Sequence, residues 1–83
     1  MATKRYTTTQ ANYVALDAGE CVVEVAEKGS VRIYIGTSLP TVGETAYHNI
    51  SYPDGIFAYH GTETVYVLAE TTDVPDVVAT HII

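Results

Sequence analysis

The chain has 83 residues, 47% of them apolar, and ten Asp and Glu against four Lys and Arg give a net charge of −6. That length holds one domain, whose thin core buries only about 60–65% of the surface of the unfolded chain. The few cations exclude the basic stripe that nucleic-acid binding requires, and no run approaches the ~20 apolar residues of a membrane span.

Residues 1–9 are polar and Thr-rich. They read as a flexible arm or an edge segment, with a single β domain following over residues 10–83. Lys4 and Arg5 are not followed by an apolar stretch, so the segment does not have the pattern of a signal peptide. The first strand is expected over residues 12–16. Asp17-Ala18-Gly19-Glu20 then supplies turn chemistry, because Asp can bond its own backbone and Gly tolerates positive φ.

Residues 21–26 and 31–35 alternate apolar and polar side chains, as a pleated strand does. The short Gly-bearing loop between them predicts a hairpin. Its apolar face is Cys21, Val23, Val25, Val31, Ile33 and Ile35, with all five of the aliphatic residues expected in the core. Glu24 and Arg32 fall on the opposite face, where a hairpin would let them pair across the strands.

Residues 36–43 form the longest loop signal, with Pro40 between two glycines. Strands follow over residues 46–50 and 57–59, separated by the turn Tyr52-Pro53-Asp54-Gly55. After Gly61-Thr62, Thr64–Ala69 is a strong strand, residues 71–76 a loop, and residues 77–82 the last strand. About seven short strands with turn signals every 8–12 residues predict an all-β domain, a small β-sandwich or jelly-roll-like barrel. Gly, Pro and β-branched residues leave no window with helical period.

The chemistry of the side chains points away from an enzyme and from a bound cofactor. Cys21 is the only cysteine; it shares a face with Val23 and Val25 and reads as a small buried hydrophobe. A lone cysteine fits a reducing compartment. His48, His60 and His81 lie in separate segments without the local pairs typical of zinc sites, so no metal is expected. Asp73 and Asp76 fall short of the six or more oxygens a calcium site wants. Ser30, Ser38 and Ser51 are turn or loop residues with no adjacent base, and no carboxylate pair stands out among ten.

What remains is surface. The strands over 64–69 and 77–82 are apolar on both faces, more than so small a domain can cover, so part of that surface is expected to meet another chain. The candidate oligomer or partner contacts are Tyr66, Leu68, Val78, Ile82 and Tyr6. Seven tyrosines supply rings with polar tips, suited either to the ends of a small core or to interfaces.

The stretch Val31-Arg32-Ile33-Tyr34-Ile35-Gly36-Thr37-Ser38-Leu39-Pro40-Thr41 resembles small structural proteins of tailed-phage virions. So do Ala46-Tyr47-His48 and Gly61-Thr62-Glu63-Thr64-Val65-Tyr66-Val67-Leu68-Ala69-Glu70. In those proteins a Gly-Thr followed by alternating aromatic residues and valine recurs near the C-terminus, usually with Trp where this chain has Tyr66. The resemblance implies a head decoration (cement) protein or short fibre module, a β-sandwich or jelly roll gathering as homotrimers. Its expected partners are the major capsid protein or other virion proteins, on a virion assembled in the host cytoplasm. The acidic body would then make attachment partly salt-dependent. The alternative is a receptor- or carbohydrate-binding β-module of a tail or head fibre, with Tyr47, Tyr52 and Tyr59 stacking on sugar rings.

Overall fold

Eight strands form two four-stranded antiparallel sheets packed face to face in a computed structural model that describes residues 2–82. The strands are β1 (Ala2–Tyr6), β2 (Val14–Ala15), β3 (Cys21–Val25), β4 (Ser30–Gly36), β5 (His48–Ser51), β6 (Ile56–Tyr59), β7 (Thr64–Ala69) and β8 (Val77–His81). One sheet, A, runs β1-β8-β3-β6, and the other, B, runs β2-β7-β4-β5. The small β-sandwich expected from the alternation is there, with eight strands rather than about seven, and their order is that of a jelly roll, which alternation alone does not specify. Each of β1, β3, β5 and β7 is followed by a strand of the opposite sheet; of all the connections, only β4 to β5 stays within one sheet.

The core lies between the sheets. Val23, Val31, Ile33, Val65, Val67, Val77 and Ala79 are wholly buried there, with Cys21, Val25 and Leu16 beside them. Ile35, expected in the core, is only half-buried and packs at its margin. Burial on β3 alternates strictly with Val22 and Glu24 exposed, the two-residue period written in the sequence.

The expected hairpin does not form. β3 belongs to sheet A and β4 to sheet B, so residues 26–29 cross from one sheet to the other as an arch. Period two tells which side chains share a face but not which strand lies alongside. In a hairpin the apolar faces of β3 and β4 would lie on the same side and need a further layer to cover them. In the arch they face each other and bury themselves. Gly29, at φ +136°, makes the crossing; a Cβ there would sit 2.7 Å from Thr71 Oγ1 and 2.9 Å from Pro75 Cδ. The neighbouring β7–β8 connection ties the arch down. Asp76 accepts from Ala26 N–H at 3.0 Å, Ser30 donates its N–H to Thr71 Oγ1 at 3.2 Å, and Ser30 accepts from Glu70 N–H at 2.9 Å. Val74 takes φ +46° in that connection, unusual for a β-branched residue. With the strands in different sheets, Glu24 and Arg32 lie on opposite outer surfaces and cannot pair; Arg32 instead meets Glu70.

Of the two readings of the N-terminal segment, arm or edge, residues 2–6 take the edge. Ala2–Tyr6 forms the edge strand β1, in register from Ala2 opposite His81 to Tyr6 opposite Val77. Thr8 is buried and donates to the Pro75 carbonyl at 2.7 Å, and Thr9 accepts from Ala69 N–H at 2.8 Å. Thr has good strand propensity, and the two cations find carboxylates on the body. Lys4 reaches Asp17 at 2.7 Å and Arg5 reaches Asp76 at 2.8 Å. Charged side chains on an edge strand also discourage pairing with other chains.

Candidate interaction surfaces

The two outer faces of the sandwich differ. On sheet B, β4 and β7 turn Arg32, Tyr34, Tyr66 and Leu68 outward, opposite the core residues of the same strands. The rings of Tyr13 and Tyr34 meet edge to face at 6.3 Å, and those of Tyr34 and Tyr66 at 6.2 Å. Arg32 lies beside this cluster with both of its forked nitrogens on the Glu70 carboxylate, an arrangement that suits a planar guanidinium. Its charge also sits 4.4 Å from the centre of the Tyr47 ring, and it donates to the Val42 carbonyl at 3.4 Å. The β4–β5 loop that carries Val42 and Tyr47 is thereby held over the face. Tyr66 and Leu68 are 7% and 2% exposed, so neither is free for a seam between copies. The expectation that a domain of this size could not cover both faces of β7 fails here, because Tyr66 and Leu68 are buried in a cluster with Tyr13 and Tyr34.

The outer face of sheet A remains open. Strand register places Val78 and Thr80 beside Val22 and Glu24, and these beside Ile56 and Ala58. Val22 and Ile56 are 40% and 62% exposed. Val22, Glu24, Ile56, Val78 and Thr80 line a shallow groove of about 130 Å³. Ile82 continues the same alternation past Thr80 and is exposed. Two of the residues singled out from the sequence, Val78 and Ile82, thus share this face. Tyr6 instead packs against the core from β1, its buried hydroxyl without a hydrogen-bond partner among the described residues. Val22 and Ile56 were not anticipated. Their signal was faint: Val22 sits on the otherwise polar face of its strand, and β6 is too short to show a period.

The titratable groups are dispersed. His48 stacks on Phe57 at 5.4 Å, His60 donates Nδ1–H to Glu20 at 2.6 Å, and His81 is buried with Nε2–H donating to the Asp17 carbonyl at 2.6 Å. Among the described residues no three His, Cys, Asp or Glu side chains gather as a metal site. Lys4 holds the Asp17 carboxyl below the ordinary range through a hydrogen bond and its charge. Burial pushes the Cys21 thiol up. Burial also raises the Tyr13 hydroxyl, with the Arg32 charge offsetting part of the rise. The tyrosines considered for sugar stacking sit in separate settings. Tyr47 is covered by Arg32, Tyr52 is exposed in the turn before Pro53, and the Tyr59 hydroxyl accepts from Glu63 N–H at 3.0 Å.

No family profile, curated protein or solved structure matches this chain. One outer face of the sandwich is closed by its aromatic cluster, and the other presents Val22, Ile56 and Val78 around Glu24 beside an uncharged edge strand.

Proposed function

We propose that the chain is a non-enzymatic structural protein of a tailed-phage virion, a decoration protein that docks on the shell of the major capsid protein. The observation that carries this reading is the exposed apolar surface of Val22, Ile56 and Val78 around Glu24 and Thr80 on sheet A of an acidic body. Apolar surface left uncovered on a small domain costs free energy unless something buries it, and a docked shell would. The jelly-roll order is compatible with this role and adds analogy alone, since one fold hosts many functions. The likeness of residues 31–41 and 61–70 to virion proteins supplies the class of partner. In this reading the protein assembles with the virion in the host cytoplasm.

The test is co-sedimentation with empty shells of the major capsid protein encoded in the same genome. The wild-type chain should pellet with the shells. Ile56→Lys, which places a charge in that surface, should stay in the supernatant while keeping its circular dichroism spectrum. Failure of the wild-type chain to bind, together with retention on a glycan array, would favour the fibre-borne sugar-binding module.

A further inference from the structure

We propose that β6 is a self-pairing edge, joining two copies around a two-fold axis into one continuous eight-stranded sheet. The hydrogen-bond phase of sheet A settles which groups β6 leaves free. Val25 N–H donates to the Gly55 carbonyl at 3.0 Å, which makes Gly55 and Val25 a bonded pair. Register then makes Phe57 opposite Val23, and Tyr59 opposite Cys21, bonded pairs as well. In an antiparallel ladder the alternate residues point their N–H and C=O the other way. Ile56 and Ala58 therefore aim their backbone groups out of the sheet, with no strand beyond them among the described residues.

The other edges are guarded differently. β1 carries Lys4 and Arg5, each engaged by carboxylates. β2 is two residues long, and β5 is polar at Asn49 and Ser51. β6, Ile-Phe-Ala-Tyr, has no charge, no proline and no lysine, the usual protections of an edge. Ile56 is 62% exposed, the most open of the large apolar side chains among the described residues.

The occupant is a second copy, because the edge is complementary to itself. Antiparallel pairing of two β6 strands must place outward-pointing residues opposite one another, and the phase allows Ile56 opposite Ala58 of the second copy with Phe57 on the axis. Each Ile56 N–H then meets an Ala58 carbonyl, and the reverse. In this register the Asp54 end of each strand lies beside the His60 end of the other, a carboxylate next to an imidazole already bound to Glu20. Asp54 and Glu20 thus approach the same imidazole at each end of the seam, while its centre, Ile56, Phe57 and Ala58, carries no charge. The outer face becomes continuous through both copies, each row running Val78, Glu24, Ile56, then Ala58, Val22 and Thr80 of the second copy. A two-fold seam of this kind is isologous, and strand addition at an exposed edge is a common recognition mode. It replaces the seam expected through Tyr66 and Leu68, and it stands whether or not the partner is a capsid.

Sedimentation equilibrium tests it on the full-length chain, from about 10 μM to about 1 mM, the range in which weak self-association is read. Dimers should grow in with concentration. Ala58→Pro removes an N–H that takes no part in the β3–β6 ladder, a place where an edge strand tolerates proline. It should weaken the dimer by at least about tenfold, as expected for losing backbone hydrogen bonds at the seam. Ala58→Ser, which keeps the N–H, should dimerise like wild type. If the proline variant misfolds by circular dichroism, Ile56→Lys carries the test, since a charge at the seam should also give a monomer. A monomer throughout, a trimer, or a dimer indifferent to both Ala58→Pro and Ile56→Lys would overturn the proposal.

Discussion

Ile33→Ala probes whether the face shared by β3 and β4 is the true core. Ile33 is 0% exposed, opposite Val67 on one neighbouring strand and His48 on the other, with sheet A closing over it. The change deletes three methyl-sized groups, worth about 0.8 kcal/mol each in transfer alone, or about 2.4 kcal/mol together. The strands on either side prevent full collapse into the space, so a cavity penalty adds to this and the expected total lies at about 3–5 kcal/mol. A domain of this length has only about 4–12 kcal/mol of stability in all. The variant should therefore unfold at much lower urea, with a Tm reduced by roughly 15–25 °C. Urea titration followed by tyrosine fluorescence and by far-ultraviolet circular dichroism gives the number. Ile56→Ala is the matched control: the same residue type at 62% exposure should change stability by no more than about 0.5 kcal/mol in the monomer. A loss below about 1 kcal/mol for Ile33→Ala, or equal losses for the two variants, would refute the burial argument.

A double-mutant cycle between Glu24 and Arg32 should show no coupling in thermal melts, because the arch places them on opposite surfaces, whereas Arg32 and Glu70 should couple clearly. Gly29→Ala should destabilise the fold, since positive φ and the approach of Thr71 and Pro75 both oppose a Cβ; a neutral melt would contradict the arch geometry. The depressed carboxyl of Asp17 contributes stability that is present above its unfolded pKa of about 3.9 and is lost as pH falls through the lower folded value. Lys4→Met should move the Asp17 titration, followed by NMR, back up toward the ordinary range, and an unmoved titration would remove Lys4 as the cause. Cys21, buried with its thiol pushed up, should resist a thiol-specific disulfide reagent in the native state and react promptly in urea; fast native labelling would show that β3 opens readily.

Much of the architecture is legible in alternation. Thr64–Ala69 could be delimited from the sequence to the residue, and the buried positions of β3 follow directly from Cys21, Val23 and Val25 standing two apart. Alternation is silent on neighbours, however. It could not tell a hairpin from an arch between residues 21–26 and 31–35, because both put the same side chains on the same face of each strand. The decision rests on burying two apolar faces against each other, a property of the whole sandwich. For residues 2–6 the sequence left arm and edge segment both open, because the carboxylates of Asp17 and Asp76 that engage Lys4 and Arg5 lie far along the chain. Tyr66 and Leu68 stand out as an apolar second face, but Tyr13, which packs on them, comes from a distant segment. The open face was half legible: Val78 and Ile82 stand out within a strand apolar on both faces, whereas Val22 and Ile56 join them only through strand register.

The central claim, that this chain decorates a phage shell, is tested most directly by electron cryo-microscopy of particles produced by the genome that encodes it, with the gene intact and with it deleted. Ordered density of the size of this sandwich is expected on the outer shell of the intact particles, sheet A toward the capsid protein, and should be lost on deletion. Identical shells from the two genomes, with no density on head or tail assigned to the chain, would contradict it.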